Sequence, residues 1–535
     1  MSLDPAELVE KEFLARQIPM NAIIDRGDSI IQQCYKNSVV FITGATGFLG
    51  KQLVEKLIRS CEVKKIYLLL RCKKGMTLEQ RINLMLKQAV FETIHDKKPG
   101  FQNKLIPISG DISEPGLAMY AEDWKVLTKE VDVIFHLAAT TRFDEELDRA
   151  TLLNVRGTRE VISFGKACKK LRTFVHVSTA FTHATRSRIN CDVLEEFYPC
   201  AINPEHLIEI AEGKNDCGLR DQIPELMSDW PNTYTFTKAV AEELVRLSSG
   251  DLPISIIRPP VVGCTAYEPT PGWIDRNSVM GPNGVILGIG LGAIHVLLTK
   301  DIVLSTAPVD MVTNATIAVG WDTATRWNAG DRTPKIFTIS SYKMGVTWTQ
   351  GGNYMRTDII ERLSTPKAFW YTYMIDTGNW FVYWVLTWFL HYIPAYLVDG
   401  VLKITGIKIK GVPSVVKIYQ KIYKMTVLYS YFLMNEWAIR DYKLMELFSK
   451  MSESDKLIYN YDISPIEHLK LIDVTCIGLR KFVLKDNLKG SIYARKKQKV
   501  LKVVNALFIA LYIYVIWKAF CLLFNVVCYL FNLVY

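Results

Sequence analysis

A tyrosine and a lysine four residues apart, Tyr234 and Lys238, are the pair in this chain best suited to acid–base chemistry. Residues at this spacing lie on one face of a helix, one turn from each other. Tyrosine has an ordinary pKa of about 10, so it exchanges protons near neutral pH only where a neighbouring cation lowers that pKa. The pair predicts proton transfer to a reacting oxygen, with Tyr234 as acid and Lys238 as the cation, which also binds a nicotinamide ribose.

A glycine cluster upstream of the pair predicts a nucleotide-binding turn. The segment TGATGFLG follows an apolar run and opens a helical pattern. Glycine lets the backbone approach a pyrophosphate, and the N-terminus of the next helix favours negative charge. The spacing is GxxGxxG rather than GxGxxG and is weak evidence by itself. The nucleotide-binding assignment therefore depends on the position of the cluster directly after an expected strand. The expected cofactor contacts in this cluster are Thr43, Gly44, Gly47, Phe48, Leu49 and Gly50.

The end of the second expected strand favours NADPH over NADH. An acidic residue there would bind the ribose of NADH. This chain has Arg71 instead, followed closely by Lys73 and Lys74. A guanidinium pairs well with the 2′-phosphate of NADPH, whereas the two lysines also fit a solvated turn. We therefore expect NADPH, with Arg71 as its discriminating contact.

Further candidate residues follow the third, fourth and fifth expected strands. Asp111 either accepts a hydrogen bond from the adenine or caps a helix, and Ile112 next to it belongs to the cofactor wall. Ala138 is small enough for the cofactor to lie against the backbone. Thr179, or its neighbour Ser178, places a hydroxyl where the substrate oxygen is oriented.

Seven apolar runs separated by helical patterns are expected to position these residues. They are nearly continuous rather than alternating, which is typical of parallel strands buried on both faces. The predicted fold class is α/β, a Rossmann-like doubly wound parallel sheet, followed by a mainly helical C-terminal domain and a terminal transmembrane helix. The expected strands are 38–43, 65–70, 105–111, 131–139, 173–180, 254–263 and 335–340. The expected domains are an N-terminal segment 1–34, an NADPH-binding domain 35–345, a helical domain 346–490 and an anchor 500–535.

The far end of the chain has the composition of a membrane anchor. Residues 503–535 contain no glycine or proline, and Lys518 is their only charge. At about 1.5 Å per residue, such a helix more than covers a hydrocarbon core of about 30 Å. The basic cluster 495–499 precedes it and predicts a cytosolic catalytic body. Because a charge in the bilayer is costly, Lys518 leaves a hairpin or an interfacial helix open as alternatives.

Composition restricts the partners. The formal net charge is +10, but outside the segment before the tail no basic run is interleaved with aromatics, so a membrane surface is expected rather than nucleic acid. The 11 cysteines are scattered without a CxxC pair, so neither a disulfide framework nor a metal site is expected. Assembly into a homo-oligomer remains open.

Longer motifs resemble those of fatty acyl-CoA reductases, membrane-associated relatives of the extended short-chain dehydrogenases. Within residues 35–345 they are TGATGFLG, VHVSTAF, PNTYTFTKAVAEEL, IIRPPVVG, EPTPGW and PVDMVTN. A weaker match continues in HYIPAYLVD, FLMNEW and residues 461–486. The resemblance implies NADPH-dependent reduction of long-chain acyl-CoA to the alcohol through an enzyme-held aldehyde. The rival functions are an extended dehydrogenase acting on a steroid or another lipid, and a non-catalytic NADPH-binding scaffold.

Two segments bear on how such a substrate would be held. The segment 180–233 is expected to form a lid on the substrate side of the sheet. The aromatic stretch 380–398 fits a core helix or the wall of an acyl tunnel better than a membrane contact, because the tail already supplies an anchor. His391 in this stretch is expected to be structural. The endoplasmic reticulum is the expected membrane, with the peroxisome and the lipid droplet as alternatives.

Overall fold

The seven expected strands form one parallel sheet in a computed structural model of the chain, which describes residues 3–73, 75–200, 202–214, 219–279, 281–303, 305–342, 345–407 and 414–534. The strands are β1 Val39–Thr43, β2 Lys65–Leu70, β3 Leu105–Ser109, β4 Val133–His136, β5 Thr173–Val177, β6 Ile254–Arg258 and β7 Lys335–Thr338. Their order in the sheet is β7-β6-β5-β4-β1-β2-β3. This confirms the predicted Rossmann-like fold.

Several strands end earlier than predicted. β4 stops at His136 and β5 at Val177, so the last three residues of each predicted run belong to loops at the carboxyl edge of the sheet. The run 254–263 divides after Arg258, because Pro259 and Pro260 have no N–H to donate to a neighbouring strand. Its second part, Val261–Gly263, pairs in parallel with Thr306–Pro308.

Helices cover both faces of the sheet. In β1, Val40 and Ile42 belong to one buried cluster, whereas Val39 and Phe41 belong to another on the opposite face. The helices as far as residue 328 are Pro5–Ala15, Gln17–Arg26, Ile30–Tyr35, Phe48–Ser60, Leu78–Leu86, Glu92–Lys97, Ala121–Glu130, Leu147–Thr151, Gly157–Ala167, Pro204–Ala211, Leu219–Leu226, Thr233–Ser248, Gly281–Leu291 and Val309–Asn328. Single 3₁₀ turns occur at Ala89–Phe91, Phe101–Lys104, Pro115–Ala118, Arg186–Arg188 and Arg276–Ser278.

The region after the sheet is mainly helical, as predicted. Its α-helices are Trp348–Tyr354, Ile360–Arg362, Trp380–Thr387, Ile393–Thr405, Val415–Met434, Tyr442–Lys450, Glu453–Ile458, His468–Gly478 and Ser491–Val534. This region also contains single π-helical segments at Met355–Ile359, Trp388–Tyr392 and Leu479–Leu484. A further one, Leu152–Arg156, lies earlier in the chain. Two short parallel pairs join this region to earlier parts of the chain: Asp192–Val193 with Ala438–Ile439, and Val296–Leu298 with Ile375–Thr377.

The segment expected to be a lid fastens the C-terminal region to the sheet. Its strand Asp192–Val193 pairs with the C-terminal region. The Glu195 carboxylate accepts hydrogen bonds from the backbone N–H of Thr338, at 2.7 Å, and of Leu444, at 3.3 Å. Burial raises the pKa of Glu195 to about 7. These contacts give the segment a structural role between the two regions.

Two helical stretches among the described residues are long and apolar enough to cross a membrane. Ser491–Tyr529 is part of one continuous helix and is the candidate anchor, which excludes the hairpin alternative. Trp380–Thr405 spans 26 residues. Only 22% of its most apolar window is buried. This low burial contradicts the expected core helix at 380–398, because a buried helix and one on the surface can have the same apolar composition. The tunnel wall and the membrane contact stay predictions.

Candidate active site

The glycine turn has the close backbone contacts that its spacing predicts. Gly44 has a φ of +76°, and a Cβ atom there would lie 2.7 Å from the backbone nitrogen of Ala138. A Cβ atom at Gly50 would overlap the carbonyl oxygen of Gly44. Gly47 is the N-cap of helix Phe48–Ser60, so the unpaired N–H groups of that helix begin at the turn. This cradle fits a pyrophosphate.

A cavity of about 770 Å³ runs along the carboxyl edge of the sheet from this turn. The sequence-predicted residues that line it are Gly44, Gly47, Phe48, Leu49, Gly50, Arg71, Ile112, Ala138, Ser178, Thr179, Tyr234 and Lys238. The cavity thus brings the cofactor candidates and the acid–base candidates together. No group of three or more histidine, cysteine or acidic residues that could hold a metal ion occurs in the described part of the chain.

Thr43 and Asp111 lie outside this lining and act on it indirectly. The Thr43 hydroxyl lies 2.7 Å from Nδ1 of His136 and accepts a hydrogen bond from the backbone N–H of Ala138 at 3.3 Å. It therefore holds the loop that follows β4. The Asp111 carboxylate accepts hydrogen bonds from the backbone N–H and the hydroxyl of Ser113, both at 2.9 Å, which closes the turn after β3.

Two arginines line the cavity beyond β2. Arg71 follows that strand directly, and the guanidinium of Arg81 donates a hydrogen bond to the Arg71 carbonyl oxygen. Arg81 is not among the residues predicted from the sequence, although a second basic residue in the helix after the β2 loop could have indicated it. Lys73 is exposed, and Lys74 lies outside the described residues.

Tyr234 stands in the first turn of helix Thr233–Ser248. The Asn232 side chain caps that helix by accepting a hydrogen bond from the backbone N–H of Thr235 at 2.9 Å. Burial raises the pKa of Tyr234 to about 12, although a hydrogen bond with Thr179 acts in the opposite direction. The expected lowering of this pKa is therefore not found, and Tyr234 is protonated at neutral pH. A protonated hydroxyl is the form that can donate to a developing oxyanion.

Lys238 is buried and directed at the sheet. Its ammonium donates a hydrogen bond to the carbonyl oxygen of Val177 over 2.7 Å. Burial lowers the pKa of Lys238 to about 8, while the negative charge of Glu242 opposes that change. Lys238 is thus held at the end of β5, beside Ser178 and Thr179.

A buried ion pair behind these groups was missed by sequence analysis. Glu242, one helical turn beyond Lys238, pairs with Arg258 at the end of β6, with 2.5 Å between Oε2 and Nη2. Burial alone would raise the pKa of Glu242, but the Arg258 charge lowers it below its ordinary value. The Ser178 hydroxyl donates to Glu242 Oε1 over 2.5 Å. Arg258, a single arginine at the end of an apolar strand, could have indicated such a buried pair.

Comparison with known proteins identifies the family. A nicotinamide-binding family model described as male sterility protein matches residues 42–316, and a second model with the same description matches residues 390–486. Fatty acyl-CoA reductase wat of Drosophila melanogaster is 35% identical over 503 residues, which cover 93% of this chain and 94% of the relative. Fatty acyl-CoA reductase 2 of Mus musculus is 34% identical, and the match covers 92% of this chain and 93% of that relative. The chain belongs to the fatty acyl-CoA reductase family. It is an oxidoreductase that uses a nicotinamide cofactor.

Two reductase domains of known structure share this fold. The terminal R domain of the myxalamid biosynthetic pathway has a TM-score of 0.55 and 19% identity, covering 84% of this reductase and 92% of that domain. The reductase domain of a non-ribosomal peptide synthetase from Mycobacterium tuberculosis has a TM-score of 0.51 and 17% identity. The match covers 86% of this chain and 98% of that domain. At these identities the likeness concerns the fold alone.

The C-terminal region of the reductase contributes to an aromatic cap over Tyr234. The Phe143 ring stacks on Tyr234, with 5.9 Å between centroids and 16° between planes. Phe143 also contacts Tyr429 at 5.2 Å and Phe432 at 5.4 Å, both on helix Val415–Met434. Helix Val415–Met434 therefore packs next to Tyr234 through Phe143.

The EPTPGW motif of the reductase fixes the helix that follows the glycine turn. Glu268, in this motif, is buried and pairs with Lys56 at 2.6 Å and with Arg59 at 2.6 Å. These two charges lower the pKa of Glu268 to about 2 against the opposing effect of burial. The Asn314 amide donates a further hydrogen bond to Glu268 at 2.9 Å. The motif thus positions the cofactor cradle without lining it.

Proposed function

We propose that this protein reduces long-chain acyl-CoA to the fatty alcohol with NADPH, through an aldehyde that stays on the enzyme between two reductions. The observation that carries the proposal is the meeting of Tyr234, Thr179 and Lys238 at one end of the glycine-lined cavity. The family to which the chain belongs supports the substrate class. The rival interpretations are a dehydrogenase for another lipid and a silent scaffold, and product analysis separates both of them from the proposed reduction.

The residues of the chain carry the proton chemistry. When bound, the nicotinamide supplies the hydride for each reduction. Tyr234 donates its phenolic proton to the carbonyl oxygen as that oxygen gains electrons, and its pKa of about 12 keeps the proton in place until then. The Thr179 hydroxyl orients Tyr234, and Lys238 holds the ribose beside it. Two hydrides and two protons convert the thioester to the alcohol, and coenzyme A leaves as the thiol after the first reduction.

NADPH is the proposed cofactor because of the cations at the far end of the cavity. Arg71 and Arg81 are both available to a 2′-phosphate, which a guanidinium binds through paired hydrogen bonds. The glycine turn and the N-terminus of helix Phe48–Ser60 would hold the pyrophosphate. The wall at Ile112 and Ala138 would lie against the adenosine and the nicotinamide riboside.

The proposed location is the cytosolic face of the endoplasmic reticulum membrane, with helix Ser491–Val534 as anchor. The basic cluster 495–499 lies in the first turns of that helix, where anionic head groups would meet it. The stretch Trp380–Thr405 contacts this helix, since the Phe389 and Tyr512 rings lie 6.2 Å apart. Its outer face includes Phe381, 71% exposed, and Ile404, 87% exposed. Both helices are therefore proposed to meet lipid.

The division into domains at residues 345 and 490 also remains a proposal. The two family matches, 42–316 and 390–486, fall on either side of the first boundary.

The deciding experiment is product analysis with the full-length protein in detergent. Incubation with NADPH and a series of acyl-CoA substrates should give fatty alcohol by mass spectrometry. Tyr234→Phe should abolish the product while NADPH still binds, whereas Tyr429→Phe, in the aromatic cap, is the matched control and should retain turnover. Absence of alcohol and aldehyde with every chain length would contradict the proposal. Accumulation of free aldehyde alone would contradict the second reduction.

A further inference from the structure

An apolar cavity lies behind the catalytic end of the cofactor cavity. Three helical segments enclose it: Gly281–Leu291, Trp348–Ile359 and His468–Gly478. None of its described lining residues is charged. The apolar side chains that line it include Val285, Ile286, Ile289, Met355, Met374, Leu471 and Ile472. A cavity of this composition holds water poorly and favours an apolar occupant.

One residue joins this apolar cavity to the cofactor cavity. Val262 lines both, and the adjoining Pro259 and Pro260 line the cofactor cavity beside Thr179. The backbone confirms the proximity, since the N–H of Ala180 donates to the Pro259 carbonyl oxygen over 2.8 Å. A group bound at Thr179 and Tyr234 therefore has an apolar space directly behind Val262.

A second, smaller cavity continues from the first. Ile286 and Met355 line both, and the second one is closed by Leu363, Leu479 and Leu484. Its single charged lining residue among those described, Arg480, is paired with Asp486 at 2.8 Å. Thr372 at its edge donates its backbone N–H to Gln498 on the terminal helix over 3.0 Å. The two cavities thus lead from the reactive tyrosine towards the base of the candidate anchor.

We propose that these two cavities bind the hydrocarbon chain of the substrate and set its length. This inference rests on the proposed function, because it takes the thioester carbon to lie at Tyr234. The chain would pass Val262, occupy the first cavity and, when long enough, enter the second between Ile286 and Met355. The depth of the second cavity would then limit the longest chain accepted.

Glycines on two helices offer a graded test of this assignment. A Cβ atom at Gly351 would lie 3.5 Å from Ile472 Cδ1 and 3.7 Å from Val346 Cγ1, so a side chain is tolerated there and points at the first cavity. A Cβ atom at Gly290 would lie 4.0 Å from Met355 Cε, on the second cavity.

Gly284, on the same helix as Gly290, is the matched control. It lines neither cavity, and a Cβ atom there would meet only the Val279 backbone, at 3.5 Å. All three glycines lie inside helices, so the same replacement by leucine has a similar effect on the backbone. The three variants therefore differ mainly in where the new side chain projects.

The experiment measures kcat/KM across an acyl-CoA series with full-length variants in detergent. Gly351→Leu should lower kcat/KM for long chains by about tenfold or more relative to short ones. Gly290→Leu should discriminate only against the longest chains, and Gly284→Leu should keep the wild-type profile. Unchanged ratios of long to short chains in Gly351→Leu and Gly290→Leu would overturn the assignment.

A second measurement uses the wild-type protein and needs no turnover. An acyl-CoA with a diazirine at its terminal carbon is photolysed on the protein, and the labelled peptides are sequenced. Label in Gly281–Leu291 and Trp348–Ile359 is expected. Label confined to Val415–Met434 or to Trp380–Thr405 would overturn the assignment even if the leucine variants fail to fold. A wild-type protein that reduces no acyl-CoA would instead contradict the proposed function.

Discussion

The Ser178 hydroxyl lies 2.5 Å from Oε1 of Glu242, to which it donates a hydrogen bond. Since Glu242 is also paired with Arg258, Ser178 is committed to a buried charged network. Its neighbour Thr179 is hydrogen-bonded to Tyr234 instead. Two adjacent hydroxyls that are equivalent by residue type therefore have different partners. We propose that Ser178 stabilises the scaffold behind Lys238 and that Thr179 orients Tyr234 as the proton donor.

This difference predicts that the two hydroxyls can be separated by mutation. Thr179→Val should lower kcat by about 100-fold, because Tyr234 loses the group that orients it, with the melting temperature nearly unchanged. Ser178→Ala should leave most of kcat but lower stability by about 1 kcal/mol, because Glu242 Oε1 loses one donor and keeps those of Arg258 and Thr182. Steady-state kinetics and thermal unfolding of both variants test this. A Ser178→Ala protein of wild-type stability with lost turnover would reverse the assignment.

The pH dependence of activity should report Lys238. Burial holds the pKa of Lys238 at about 8, so its side chain is charged below that pH and neutral above it. Tyr234, with a pKa of about 12, remains protonated throughout this range. Because kcat/KM for acyl-CoA reports groups of the enzyme form that binds acyl-CoA, it should fall as the pH rises through about 8.

The measurement is kcat/KM for acyl-CoA at saturating NADPH over a series of buffers, with a pH-jump control for stability. Loss of activity that recovers on returning to neutral pH supports titration of Lys238. A profile that stays level through that pH would show that its charge is not needed.

The sheet was predictable because its strands are buried on both faces and therefore read as continuous apolar runs. The same property explains the errors at strand ends. Residues 137–139, 178 and 179 are small or apolar and line the cofactor cavity, and composition alone does not distinguish such residues from the end of a strand. The glycine turn, Tyr234 and Lys238 were found because each motif is local in sequence.

Contacts between distant segments could not be predicted in this way. Arg258 and Glu242 pair across two elements, and Tyr429 and Phe432 reach Phe143 from the C-terminal region. The sign of the pKa change at Tyr234 depends on burial, which the spacing of a tyrosine and a lysine does not reveal. Likewise, an aromatic helix has the same composition whether protein or lipid covers it.

Cofactor preference should depend on Arg71. Arg71→Asp should lower kcat/KM for NADPH by about tenfold or more, because a charged hydrogen bond to the 2′-phosphate is replaced by repulsion. NADH, which has no phosphate at that position, should be affected much less. Lys73→Asp is the matched control, since Lys73 is exposed and does not line the cavity. An unaltered ratio of NADPH to NADH in Arg71→Asp would reject the assignment.

Glu268 should be needed for stability rather than for chemistry. Glu268→Ala leaves Lys56 and Arg59 buried near each other without this shared carboxylate, which should cost about 3–5 kcal/mol of folding free energy. Thermal unfolding in detergent measures this, with Glu446→Ala, whose carboxylate is exposed beside Lys450, as a control expected to unfold like the wild type. A Glu268→Ala protein with an unchanged melting temperature would show that the ion pairs do not hold the cofactor helix.

Membrane binding should survive loss of the terminal anchor. Removal of residues 503–535 leaves the exposed face of Trp380–Thr405, including Phe381, Leu397 and Val401, available to lipid. Burying such side chains is favourable by about 1.5–3 kcal/mol each, so the truncated protein should still float with liposomes. Adding charge to that face, as in Leu397→Glu with Val401→Glu, should release it, whereas Val126→Glu, on an exposed apolar position of helix Ala121–Glu130, should not. Complete release of the truncated protein before any charge is added would show that the terminal helix alone binds the membrane.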